Sequence, residues 1–112
     1  MAVITSQTIV AAGLAYTTQS AAGGGDTASL ASATDVGSSL IVKNGGGSPI
    51  TVTIADPGVT QAGNAATAPA NSVAAGGTVL FPLLPAQVNP TTGLINITYS
   101  AVTSVTVAVV RR

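Results

Sequence analysis

The chain contains no cysteine, no histidine, no glutamate and no tryptophan. Without histidine or cysteine there is nothing from which to build the commonest general base, a thiolate nucleophile, or an imidazole or thiolate metal site. The lack of cysteine also removes the cystine-scaffold class of small domains. Charge is scarce. Only 5% of the residues are charged, against roughly 25% in an ordinary domain. The cations are Lys43, Arg111 and Arg112, balanced by Asp26, Asp35 and Asp56. Three scattered aspartates do not make the clustered carboxylates of a calcium site, and they read as side chains that cap turns. Three cations do not make the basic face that phosphate binding needs, so no nucleic-acid partner is expected. No run of about 18 apolar residues occurs, so no membrane-spanning helix is expected. The opening MAVITSQTIVAAGLA has no basic n-region, and Thr5 to Thr8 break its apolar run, so it does not read as a secretory leader. Neither a cofactor nor a small-molecule substrate is expected.

What remains is a chain of 112 residues, 46% hydrophobic and with no net charge, whose polarity comes from Ser, Thr, Asn, Gln and Gly. Short Thr, Val and Ile runs are punctuated by Gly, Pro, Asn and Ser, which is the pattern of an all-β chain. Helical periodicity is missing. Leu40 and Val42 mark a strand at about 38–43, and Ile50, Val52 and Ile54 alternate with Thr51 and Thr53 in the next. The intervening Lys43-Asn44-Gly45-Gly46-Gly47-Ser48-Pro49 invites a hairpin, since Asn-Gly readily takes positive φ. Asp56-Pro57-Gly58 reads as a turn, and residues 58–76 as a long surface excursion, with or without a short strand. Thr78 to Phe81 form a strand, fenced by Pro82 and Pro85, that lies at a sheet edge or stops near Phe81. Ile95, Ile97 and Tyr99 alternate with polar residues, and the odd-numbered face continues to Val105, Val107 and Val109.

Six or seven strands in this length predict a single antiparallel β-sandwich, Ig-like or jelly-roll-like. Its expected core is Leu40, Val42, Ile50, Val52, Ile54, Val79, Phe81, Ile95, Ile97, Tyr99, Val105, Val107 and Val109. Residues 1–22 read as an N-terminal strand or extended arm, and 23–112 as the sandwich domain. Residues 19–37 read as a loop with one short strand near Ser29–Ala31.

Three motifs invite chemistry. Gly25-Asp26-Thr27-Ala28 resembles the Asp-Thr-Gly/Ala signature of aspartic proteases, but a flexible glycine lead-in works against holding two carboxylates close enough to share a proton. Gly23–Gly25 and Gly45–Gly47 lack the Gly-Lys-Ser/Thr that completes a phosphate loop, and they read as turns. Asn96-Ile97-Thr98 fits a glycosylation sequon but lies inside an expected strand.

Four segments carry a resemblance: Gly24-Gly25-Asp26-Thr27, Val42 to Thr53 (VKNGGGSPITVT), Ala74-Ala75-Gly76-Gly77-Thr78, and Ile97 to Ala108 (ITYSAVTSVTVA). Together they resemble the small head decoration, or minor capsid, proteins of tailed bacteriophages, chiefly those of actinobacterial hosts. The likeness runs from about residue 23 to the end. Leu80-Phe81-Pro82-Leu83-Leu84-Pro85 stands where the family often has Gly-Pro-Phe-Pro-Pro. The resemblance implies a virion protein on the outer surface of the capsid, with the major capsid protein as partner. It also implies a homo-oligomer, with a trimer favoured. Candidate contact residues are Val3, Ile4, Ile9 and Val10 in the N-terminal stretch, then Lys43, Asn44, Arg111 and Arg112. Arg111 and Arg112 have a second reading, as charges that stop another chain extending the sheet. The alternatives are an extracellular Ig-like or adhesin-type binding module, or another virion subunit such as a tail-tube protein.

Overall fold

The computed structural model describes residues 2–30, 37–58, 61–64 and 70–111. These form two sheets packed face to face, a β-sandwich. The strands are β1 (Ala2–Val3), β2 (Ser6–Thr8), β3 (Gln19–Ser20), β4 (Asp26–Ala28), β5 (Ser38–Asn44), β6 (Ile50–Ile54), β7 (Ala70–Val73), β8 (Thr78–Leu83), β9 (Ile95–Tyr99) and β10 (Val105–Arg111). The first sheet has the order β1-β4-β9-β6-β7; the second has β2-β10-β5-β8, with β3 also pairing β10. A short 3-10 turn at Pro85–Gln87 follows β8.

Alternation does most of the work. In β6, Ile50, Val52 and Ile54 are buried while Thr51 and Thr53 are only half-buried. In β10, Val105, Val107 and Val109 point into the space between the sheets. β-Branched side chains suit this half-buried pleated surface. Of the expected core, all are buried except Val79 and Tyr99, which pack against it partly exposed. Ile4, Ala21, Ala28, Val73 and Leu83 complete it.

The chain keeps changing sheets, and this corrects the expected hairpins. β5 and β6 lie in different sheets, so residues 45–49 cross the sandwich rather than fold a strand back on its neighbour. β9 and β10 are related in the same way. Among the described residues, β6 and β7 are the only consecutive strands that pair with each other. Crossing preserves the inward set of side chains, which is why the odd-numbered apolar positions of β9 and β10 meet in one core.

The N-terminal stretch takes the strand alternative, in two pieces. β1 pairs parallel with β4 in one sheet, and β2 pairs parallel with β10 in the other. Between them Ile4, only 1% exposed, is driven into the core, and its N–H donates to the Thr27 carbonyl at 2.8 Å. Residues 2–8 therefore belong to the same sandwich as the rest. The expected loop over residues 19–37 holds β3 and β4, and β4 precedes the strand expected near Ser29–Ala31; residue 31 lies outside the described residues. β8 is an edge strand, with Pro82 opposite Ser39 of β5. This agrees with the missing proline donor.

Candidate contact surfaces

The two outer faces differ in chemistry. On the first sheet, Thr53 stands opposite Thr98, Thr51 opposite Ser72, and Thr27 opposite Asn96. Ser100 extends the array: its hydroxyl accepts from the Thr51 N–H at 2.8 Å, and its own N–H donates to the Thr51 carbonyl at 2.9 Å. Thr98, Ser72 and Ser100 are exposed, and Thr51, Thr53 and Asn96 half-buried. The outward positions of β6, β7 and β9 carry no charge. The face is an array of hydroxyls, an amide and methyl groups.

The second sheet turns outward Ile41 of β5, Leu80 and Pro82 of β8, and Ala108 and Val110 of β10, and towards its other end Lys43, Thr78 and Thr106. The segment between β2 and β3 overhangs this face. Its base is clasped by an amide: Gln7 Nε2 donates to the Thr17 carbonyl at 2.8 Å, and the Thr17 N–H donates to Gln7 Oε1 at 2.9 Å. Its tip is a tight turn in which the Gly13 N–H, at φ 94°, donates to the Val10 carbonyl at 2.8 Å. Segment and sheet enclose a groove of 540 Å³ whose apolar lining includes Ile9, Leu14, Tyr16, Ile41, Leu80 and Val110.

The candidate contact residues do not come together. Val3, 60% exposed, lies at the β1 edge of the first sheet, whereas Ile9 and Val10 lie over the second. Ile4 is core and unavailable to a partner. Asn44 is buried as well, because its side chain is consumed internally. Its Nδ2 donates to the carbonyls of Ser48 at 2.8 Å and Val73 at 3.2 Å, and its Oδ1 accepts from the Gly46 N–H at 3.0 Å. An Asn-Gly pair read as a hairpin signal proves to be the lock on a crossover. Lys43 is exposed, but it sits at the opposite end of the β5–β10 ladder from Arg111, which pairs with Ser38. β10 runs between β5 on one side and β2 and β3 on the other, so Arg111 guards no open edge. Arg112 and Asp35 lie outside the described residues.

Asp26 departs most from its reading. It caps the Ala22–Gly25 turn, but from a fully buried position in β4. Its Oδ2 accepts from Tyr99 Oη at 2.7 Å and from the Ala22 N–H at 3.3 Å, while Oδ1 has no hydrogen-bond partner. Burial, then the hydrogen bond to Asp26 and the charge of that carboxylate, push the Tyr99 phenol well above its ordinary range. The glycine before Asp26 is not a flexible lead-in. Gly25 has φ 94°, and a β-carbon there would lie 2.7 Å from the Ile97 carbonyl oxygen. Asp56 behaves as expected, its Oδ1 accepting from the Gly58 N–H at 2.8 Å.

Groups of three or more side chains able to hold a metal ion do not occur among the described residues. The chain matches no protein-family model, no curated protein and no solved structure.

Proposed function

We propose that this chain is a structural adhesion protein that decorates the outer surface of a tailed-phage capsid and cements neighbouring major capsid subunits. The reading is supported by the four segments that resemble head decoration proteins and by a β-sandwich whose first sheet carries no charge at the outward positions of β6, β7 and β9. One observation carries it: the hydroxyl and amide array on the outer face of the first sheet, built from Thr51, Thr53, Ser72, Asn96, Thr98 and Ser100. A broad uncharged face of this kind hydrogen-bonds and packs against another protein without desolvating ions, whose burial carries a large penalty. Repeated over a symmetric shell, many weak contacts of this type add through multivalency.

The test mixes purified protein with empty shells assembled from a tailed-phage major capsid protein. The protein should sediment with the shells and raise the temperature at which they fall apart. Protein left wholly in the supernatant, with shells melting as before, overturns the proposal.

A further inference from the structure

Asn44-Gly45 is the one asparagine–glycine pair in the sequence; the other asparagines precede Ala, Ser, Pro and Ile. In such a pair the glycine backbone nitrogen can attack the asparagine Cγ. The new N–Cγ bond closes a five-membered succinimide, and the side-chain amide leaves as ammonia with the proton that the glycine nitrogen gives up. Water then opens the ring at either carbonyl, leaving aspartate or isoaspartate. Glycine favours the closure, because without a β-carbon it restricts the backbone least. A solvated hairpin tip would expose the pair to this reaction. The crossover does the opposite and engages both reacting groups elsewhere. Asn44 is only 2% exposed, and its amide is held by Ser48, Val73 and Gly46. The Gly45 N–H, whose proton the attack must release, donates to the Ser104 carbonyl at 2.9 Å. The Asn44 N–H donates to the Gly77 carbonyl at 2.9 Å.

We infer that Asn44 is a deamidation site that the fold keeps closed, and that its deamidation makes unfolding irreversible. Ring closure needs the Asn44 side chain and the Gly45 N–H released from their partners. It therefore proceeds only in molecules whose crossover has opened. The product no longer fits the joint. Asn44 Nδ2 gives its donors to the carbonyls of Ser48 and Val73. An ionised carboxylate in its place offers acceptors only. It would face two carbonyl oxygens at a buried position, and burying an unpaired charge is costly. Isoaspartate also lengthens the main chain by one carbon at the point where Asn44 pairs with Val105. A chain that stays open long enough is thus altered at the joint it must close, and chemical change of the unfolded chain turns a reversible equilibrium into a rate. The inference rests on bonds inside the sandwich and goes beyond the shell contact proposed above.

Peptide mapping by mass spectrometry tests it, on the full chain kept folded in mildly alkaline buffer and kept unfolded in guanidinium chloride at the same pH. Asn44 should convert to aspartate and isoaspartate at least about 100-fold more slowly in the folded sample, because a stable domain is open in only a small fraction of molecules. A smaller ratio overturns the inference, and so does an Asn44 that stays intact in denaturant. Dilution out of denaturant after increasing times gives the second readout. The yield of refolded protein should fall in step with conversion. Refolded chains should retain Asn44, while the chains left unfolded carry the products. Converted chains that refold to the wild-type melting temperature overturn the inference. Asn44→Asp, made directly, should melt below the wild type, and an unchanged melting temperature contradicts the account of the joint. Should Asn44→Asp not fold at all, the partition of Asn44 between refolded and unfolded wild-type chains decides alone.

Discussion

The outer faces of the two sheets are made by the same strand alternation and yet present opposite chemistry. One displays Thr, Ser and Asn; the other displays Leu, Ile and Val under an overhanging segment, with Lys43, Thr78 and Thr106 at its far end. The difference arises at the N-terminus. Residues 2–8 supply a strand to each sheet, but the excursion that follows is laid over the second sheet alone. Among the described residues, Ser72, Thr98 and Ser100 stand exposed on one face, and the other becomes a walled groove. A chain with few charges thus distinguishes its surfaces by where apolar side chains stand, not by the sign of a field.

The largest expected effect removes the shared origin of both faces. Ile4→Ala should destabilise the fold by about 2–5 kcal/mol, the range for truncating a buried aliphatic side chain. Denaturant unfolding checks this. A loss well below that range would mean that the N-terminal stretch is only loosely attached and that the contrast between faces does not depend on it.

Gly25→Ala comes next. It places a β-carbon against the Ile97 carbonyl at a positive-φ position, so a cost of about 1–3 kcal/mol is expected in the same unfolding experiment. The strain falls on β4 and β9 beneath the hydroxyl face, so the groove over the second sheet should keep its local geometry.

Tyr99 gives a pH signature. Its folded-state pKa is raised above the unfolded value of about 10. The folded state therefore holds the phenolic proton more tightly than the unfolded state does. Its contribution is complete below about pH 10 and is lost as pH rises beyond that value. Melting temperature measured from pH 8 to pH 12 should fall at the alkaline end. Tyr99→Phe should flatten that fall, and it should also cost about 1–3 kcal/mol at neutral pH, because buried Asp26 Oδ2 loses its closest donor.

Gln7→Ala separates the faces with the smallest change. Losing the clasp on the segment between β2 and β3 should cost about 1 kcal/mol of stability. It should also increase binding of a hydrophobic dye, since Ile41 and Ala108 lose cover while the hydroxyl array is untouched. Dye binding equal to wild type would show that the overhang does not depend on Gln7.

Much of the sandwich was legible because it rests on period-two alternation. The inward residues of β5, β6, β9 and β10 and the edge position of β8 follow from side-chain type and from the missing N–H of Pro82. The partners of each strand were less legible. Asn44-Gly45 carries the same local signal whether the chain folds back or crosses to the other sheet, and only the buried bonds from Asn44 to Ser48 and Val73 distinguish the two. Ile4 was hidden for a related reason. A single apolar residue between two very short strands has no periodicity of its own, and its burial is decided by parallel pairing with residues about 20 and 100 positions away. The burial of Asp26 was not legible because the glycines before it suggest a loop, whereas Gly25 is required by a close approach to β9. The groove combines Ile9 and Tyr16 with Leu80 and Val110, which no local pattern connects. The hydroxyl face, by contrast, was already written in Thr51, Thr53 and Thr98 as the polar half of two strands.

The central claim is that the molecule holds to its target through uncharged contacts on the first sheet. Co-sedimentation with empty shells in rising salt tests it most directly, because the screening length falls from about 10 Å at 0.1 M to about 3 Å at 1 M. The account predicts a bound fraction that hardly changes over that range for the wild type, and one that collapses for a Thr53→Lys, Thr98→Lys double variant even at low salt. Wild-type binding that disappears as salt rises, or a double variant that binds as well as wild type, would contradict it.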